Sequence, residues 1–230
     1  MAKERPIICS AHMVRAILEN RQSQTRRVVK PQPVYEPPLG YDVLRAKGRA
    51  FSLCPPDRSG PNAPMYEVCP YGVPGDRLWV RERFAFDDSL DHKPPSSEFH
   101  RFLCEDGSRI VYHASYDGAI GRLGKWRPSI HMPRWASRIT LEVTGVRVER
   151  VQEISEHNAK AEGVAPWVNS HGEQSSCWWR DYRFASACGT ACPIVSFEGL
   201  WDNINAKRGY PWADNPWCWV VEFRRLKEGE

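Results

Sequence analysis

The clearest strand signal in this chain is Arg138-Ile-Thr-Leu-Glu-Val-Thr-Gly-Val-Arg-Val-Glu-Arg-Val151. Up to Thr144, aliphatic residues alternate with polar ones, which is the period of a strand with one buried face. After Gly145 the aliphatic positions shift by one residue, and a shift at a glycine predicts a bulge or a bend. Small barrels need such bends in order to close. We therefore expect a β-rich domain around this strand.

Other predicted elements flank this stretch on both sides. Ser10, Ser155 and Ser196 are each predicted to cap a short helix, because a serine hydroxyl accepts from free amides of the first turn. Trp217 to Phe223 is apolar at successive positions, which is typical of a strand buried on both faces. Further strands are predicted at 6–9, 28–29, 77–82 and 109–113.

Three stretches rich in loop-forming residues interrupt these elements, near 31–74, 85–108 and 165–193. They predict irregular insertions over the surface of one domain that spans residues 1–230. The predicted fold class is α+β, with five to seven strands forming a small closed or half-closed β-barrel and about three short helices.

The composition is that of a globular domain, with 230 residues, 41% hydrophobic and 26% charged. No apolar run approaches the roughly 18 residues that span a bilayer, so no membrane association is expected. The first residues lack the apolar run of a signal peptide, which predicts a cytoplasmic protein.

The eight cysteines lack metal-site spacing, since none forms a C-x-x-C pair. We expect free thiols that serve as small apolar groups, with a metal site formed by distant cysteines as the alternative. No cofactor or metal is expected. The cysteines are Cys9, Cys54, Cys69, Cys104, Cys177, Cys188, Cys192 and Cys218.

Positive charge is concentrated in two segments, although the net charge is only +4. Residues 1–50 carry ten Lys and Arg against four Asp and Glu, and residues 121–150 carry seven against two. If the fold brings them together, they create one positive field that suits nucleic acid or a nucleotide. The alternative is two unrelated solvated faces.

The first candidate site is the segment 21–27, which follows the first predicted helix. Arginine forks match phosphate geometry, and hydroxyl and amide groups also donate to phosphates. The phosphate or nucleotide ligands predicted here are Arg21, Gln22, Ser23, Arg26 and Arg27. Thr25, a hydroxyl flanked by cations, is a candidate nucleophile. The alternative is an ordinary basic loop after a helix.

The second candidate site is the segment 125–135, in which two prolines favour an ordered, non-helical loop. Cations beside indole rings are the combination that binds single-stranded nucleic acid. The alternative is a loop whose tryptophans fill the core. The residues predicted here are Lys125, Trp126, Arg127, Ser129, His131 and Arg134.

Two predicted strands add further candidates. Glu142 lies on the polar face of its strand, where it could orient a base edge or transfer a proton. Trp79 and Glu82 follow the turn signal Gly75-Asp76 and could face a ligand. A solvated sheet face is the alternative for Glu142, and an ordinary turn is the alternative for the Gly-Asp pair.

Taken together, the segments 21–27, 75–81 and 139–144 resemble an ASCH domain, a PUA-like pseudobarrel. With Lys125-Trp126-Arg127-Pro128-Ser129 and Asn215-Pro216-Trp217, the chain is similar to the long ASCH-like proteins of bacteriophages and prophages. The resemblance implies RNA or nucleotide handling.

Some ASCH proteins are amidohydrolases that deacetylate 4-acetylcytidine, and others cleave RNA. The resemblance implies that Thr25 is the nucleophile and that Glu142 is the catalytic carboxylate. The family's lysine position matches Gln22, which cannot take a proton from a hydroxyl. Lys125 could replace it only if its loop folds over Thr25.

Three functions are therefore expected, in this order. The first is binding of RNA, single-stranded nucleic acid or a modified nucleotide. The second is hydrolysis of a modified nucleoside or of RNA by Thr25, Glu142 and Lys125. The third is a phage–host interaction, in which the insertions bind a host protein.

Overall fold

The structure, a computed structural model, describes residues 2–36, 41–46, 49–53, 69–92, 94–95, 110–118, 123–169, 171–184 and 188–227. The chain divides into two compact units. Unit 1 comprises Met1–Asn20, Gly75–Glu142 and Arg224–Glu230, and unit 2 comprises Arg21–Pro74 and Val143–Phe223.

Short strands outnumber helices in the described residues. In chain order the strands are β1 (Glu4–Ile8), β2 (Gln24–Val28), β3 (Val34–Glu36), β4 (Tyr41–Ala46), β5 (Arg49–Leu53), β6 (Arg77–Arg81), β7 (Phe84–Phe86), β8 (Ile110–Tyr112), β9 (Thr140–Arg150), β10 (Pro166–Val168), β11 (Gln174–Arg180), β12 (Gly189–Thr190) and β13 (Trp217–Arg225). The helices are α1 (Ala11–Leu18), α2 (Glu156–Ala161) and α3 (Pro193–Asn205).

In unit 1, three strands run side by side. β1 is parallel to β6, with Pro6 opposite Trp79, and the start of β9 is antiparallel to β6, with Thr140 opposite Trp79. One face of these strands is buried, because Ile7, Leu78 and Leu141 are at most 1% exposed. Their other face is the more accessible one.

The rest of the unit 1 core lies under the β7–β8 hairpin. Phe84 and Phe86 pack edge to face at 5.3 Å between ring centroids, and Met132 and Ala136 complete a buried cluster with Leu90. The helix α1 begins as predicted, since the Ser10 hydroxyl accepts a hydrogen bond from the Met13 amide.

Unit 2 has its own core between α2, α3 and β13. Its buried members are Val151, Ile154, Ala159, Val164, Phe197, Trp201, Cys218 and Val220. Ser155 caps α2 as predicted, since its hydroxyl accepts from the Asn158 amide. The predicted cap of α3 is wrong, because this helix begins at Pro193 and Ser196 lies inside it. The Ser196 hydroxyl is buried and donates to the Arg180 carbonyl oxygen.

Two of the segments predicted as irregular contain antiparallel sheets, both in unit 2. β3, β4 and β5 form one sheet in the 31–74 segment, and β10, β11 and β12 form another in the 165–193 segment. Five of the seven residues of β11 are exposed and the other two, Ser175 and Trp179, are half-buried, so exposure does not alternate from one residue to the next. A strand with no fully buried residue lacks the alternation that identifies strands in a sequence. Residues 96–108 of the third segment lie outside the described residues.

The mixed α+β class is confirmed, and the described residues contain more strands than the five to seven expected. Within each unit the described strands form open sheets rather than a closed barrel. β9 continues through Gly145 as one strand, and a Cβ there would lie 2.7 Å from Glu222 Oε2. A side chain at this position would therefore require the flexible Glu222 carboxylate to move.

No helix in the described part of the chain is long and apolar enough to cross a membrane. Cys9, Cys69 and Cys218 are buried as expected, whereas Cys177 and Cys188 are exposed. Cys54 and Cys104 lie outside the described residues.

Candidate functional site

The accessible face of the unit 1 sheet carries three of the predicted site residues, Trp79, Arg134 and Glu142, together with further arginines. Along β6, Leu78 and Val80 point into the core, so Arg77, Trp79 and Arg81 point to the opposite side. We call the set around them the arginine face. Its members are Glu4, Arg77, Trp79, Arg81, Arg134, Glu142 and Arg224.

Trp79 lies on the arginine face, and two guanidinium groups lie near its ring. The Arg81 guanidinium carbon is 5.1 Å from the indole centroid, and that of Arg134 is 6.0 Å away. Both distances are within the range of cation–π attraction. Arg81 is also held by the chain, because it donates to the carbonyl oxygens of Met132 (3.1 Å) and Ile130. Trp79 is therefore an aromatic ring flanked by fixed positive charge.

Two glutamates hold the outer arginines in place. Glu4 accepts two hydrogen bonds from Arg134, at 3.0 and 3.2 Å, and these bonds lower the pKa of Glu4 below the ordinary glutamate value. Glu142 lies opposite Arg77 in the sheet and accepts from Arg224 Nε at 2.5 Å. Four arginines thus share the face with two glutamates, which leaves an excess of positive charge.

Arg77 is the arginine of this face with the most freedom to bind a ligand. Among the described residues, its side chain makes no hydrogen bond or ion pair, and it is half-buried beside Trp79. Its charge helps to lower the pKa of Glu4, which is a smaller effect than that of Arg134.

The segment 21–27 belongs to unit 2 and is mostly strand and interior rather than an exposed loop. β2 begins at Gln24, and Thr25 lies opposite Val221 with 3% of its surface exposed. The Arg26 side chain has no exposed surface and pairs with Glu162 at 3.0 Å and Glu149 at 2.7 Å. Burial raises the pKa of Glu162, and the charge of Arg26 opposes that rise.

The neighbours of Arg26 are also used within the protein. Arg21 donates to the carbonyl oxygen of Gly163 at 3.1 Å, and Gln22 is 5% exposed and donates to the Gln24 carbonyl oxygen. Arg27 is half-buried, and only Ser23 is exposed. In this state Arg26 cannot reach a phosphate without breaking a buried ion pair.

The segment 125–135 lies in unit 1 and contributes both core and surface. Arg127 is buried and pairs with Asp91 at 3.0 Å, and Lys125 is exposed with its amide donating to the same carboxylate. Trp126 is half-buried against other rings. Arg134 and His131 are exposed, and Ser129 is half-buried.

The Trp126 ring is surrounded rather than open. His113 and Tyr116 meet it edge-on at 5.0 and 5.4 Å between centroids, and the Arg83 guanidinium carbon lies 5.6 Å from it. Glu82, predicted to face a ligand, is 2% exposed and instead accepts two hydrogen bonds from Arg138, at 2.9 and 3.1 Å.

Of the predicted site residues, the structure thus brings Trp79, Arg134 and Glu142 together on the arginine face. Thr25 belongs to unit 2, whereas Glu142 and Lys125 belong to unit 1. The catalytic role of these three residues stays a prediction. Within the described residues, no three His, Cys, Asp or Glu side chains are arranged to hold a metal ion.

Sequence reasoning missed Arg77, Arg81 and Arg224 as site residues. For Arg77 and Arg81 a signal was present, since a period-two strand that buries Leu78 and Val80 must expose the residues between them. Arg224 follows the last buried residue of β13 and carried no such signal. No protein-family model, curated protein or solved structure matches this chain.

Proposed function

We propose that the chain binds single-stranded nucleic acid, with RNA as the favoured ligand, on the arginine face of unit 1. The observation that carries this proposal is that the Arg81 and Arg134 guanidinium groups lie beside the Trp79 ring on the accessible side of a sheet. An aromatic ring stacks on any base, and neighbouring cations attract the phosphates on either side of that base.

The electrostatics of this face favour a flexible, charged ligand. Arg77 has no ion-pair partner among the described residues and is free to neutralise a phosphate. Arg134 and Arg224 are exposed, and phosphates would compete with Glu4 and Glu142 for them. Such competition costs part of the binding energy, so we expect modest affinity with strong salt dependence.

The broader proposal is an ASCH-like protein of the phage or prophage type that acts in the cytoplasm, in that case of the host cell. Its core would be a PUA-like small barrel. The supporting observations are the capped helix α1 ahead of the 21–27 segment and the strand β9 with its buried aliphatic face. The hydrolase and the host-protein interaction remain alternatives.

The test is fluorescence polarisation with a labelled oligouridylate of about 20 nucleotides, wild type beside Trp79→Ala. Loss of one stacked base is expected to weaken binding by about tenfold. The matched control is Tyr35→Ala, which removes an exposed ring from β3 in unit 2. Equal affinity of wild type and Trp79→Ala, with both proteins folded by circular dichroism, would overturn the proposal.

A further inference from the structure

The β10–β12 sheet of unit 2 carries a second set of aromatic rings that its core does not use. β11 alternates so that Trp179 packs on the unit 2 core while Trp178 points the other way. Trp178 is 46% exposed, which is unusual for the largest apolar side chain.

Trp178 and Trp167 together form a two-ring platform on the outer side of this sheet. Their ring centroids are 6.4 Å apart. Both indoles extend over Gly189 in the third strand, because a Cβ at this glycine would lie 2.8 Å from Trp167 Cγ and 3.1 Å from Trp178 Cε3. The absence of a side chain at residue 189 is therefore a condition for the two rings to lie as they do.

Arg180, which has no ion pair within the described ranges, lies on the same side of the sheet. Arg180 is two residues from Trp178 and opposite Gly189 in the ladder, so its side chain shares their face. Its guanidinium carbon is 5.3 Å from the Tyr182 ring centroid, and it has no carboxylate partner among the described residues. The platform thus combines an exposed ring and a half-buried ring with a cation that has no carboxylate partner in the described part of the chain.

We propose that Trp167, Trp178 and Arg180 form a second binding site for single-stranded nucleic acid, with bases stacked on the indoles and a phosphate on Arg180. An unpaired cation beside the rings favours an anionic ligand with flat faces over a neutral apolar partner surface. This inference rests on the proposed function in one respect, since both require that the chain binds nucleic acid. The residues of the second site lie in unit 2, whereas the arginine face lies in unit 1.

The test uses the full chain and an oligouridylate that carries 5-iodouridine, which forms a covalent bond on irradiation with an aromatic ring stacked on it. Peptide mapping by mass spectrometry is expected to find cross-links at Trp178 or Trp167. Fluorescence polarisation with the same oligonucleotide is expected to show about tenfold weaker binding for Trp178→Ala.

Two further variants separate geometry from the mere presence of a ring. Gly189→Ala keeps both tryptophans but forces them apart, and Arg180→Gln keeps the platform but removes the charge. Both are expected to weaken binding, whereas Tyr35→Ala is not, and circular dichroism shows whether each variant is folded. The inference would be overturned if Trp178→Ala and Arg180→Gln bound with wild-type affinity and no cross-link formed at Trp167 or Trp178. Capture of a protein by the same surface would not change that conclusion.

The outcome is separable from that of the first proposal. If Trp79→Ala weakens binding and Trp178→Ala does not, the arginine face stands and the second site is refuted. If only Trp178→Ala weakens binding, the second site stands and the arginine face is refuted.

Discussion

Arg26 and Glu162 form an ion pair inside unit 2, with 3.0 Å between Arg26 Nη1 and Glu162 Oε1 and almost no exposed surface on either side chain. Glu162 Oε2 also accepts from the Arg26 backbone amide at 3.0 Å. Both ends of the arginine are therefore fixed by one carboxylate. A residue that the sequence presents as a phosphate ligand serves instead to join β2 to the end of α2.

Replacing Arg26 by methionine is expected to lower the free energy of unfolding by about 3–5 kcal/mol, because Glu162 is then left as a buried, uncompensated charge. Urea unfolding followed by circular dichroism measures this change. Arg208→Met is the control, since Arg208 is exposed and has no ion pair within the described residues. A loss as small as that of the control would mean that the pair adds nothing to stability.

The raised pKa of Glu162 predicts a pH dependence that Glu162→Gln removes. A carboxyl group whose pKa is higher in the folded than in the unfolded state binds its proton more tightly when folded. Its contribution to stability is complete below the ordinary value of 4.5 and is lost as the pH rises through the folded pKa.

We therefore expect the stability of wild type relative to Glu162→Gln to decrease between the ordinary value of 4.5 and neutral pH. Urea unfolding of both proteins over this range gives the difference at each pH. A difference that grows with pH would show that the ion pair with Arg26 outweighs the cost of burial.

Nucleic-acid binding on the arginine face is expected to weaken steeply with salt. Three or four phosphate contacts on a single strand give a slope of log K against log salt of about −2 to −3. Arg77→Ala should reduce this slope by about 0.7, the share of one contact. Arg208→Ala should leave it unchanged, and a wild-type slope near zero would exclude phosphate contacts.

Hydrolysis of acetylated cytidine or of RNA is not expected from the wild-type chain. Thr25 is 3% exposed, so a substrate has little access to its hydroxyl, and Gln22 at the family's lysine position cannot act as a base. Chromatography of a nucleoside and oligonucleotide panel measures turnover. Wild-type turnover that Thr25→Ala abolishes would instead establish the hydrolase alternative and require a search for its base.

Local signals in the sequence predicted the elements that depend only on neighbouring residues. Ser10 and Ser155 cap their helices because the hydroxyl of each serine accepts from the free amide three residues later in the first turn. The alternation at 139–143 predicted a strand with one buried face, and Ile139, Leu141 and Val143 are buried. These outcomes follow from backbone periodicity and need no knowledge of the partner elements.

Tertiary structure alone decided which charges are available for function. Arg26 and Arg77 look alike in the sequence, yet one is neutralised by Glu162, 136 residues away, and the other has no ion-pair partner in the described residues. The free energy of a charge depends on its burial and on the distance to its counter-charge. Burial and counter-charge distance are both set by contacts between residues that are far apart in sequence. The same holds for Gly189, whose role depends on two indoles that belong to other strands.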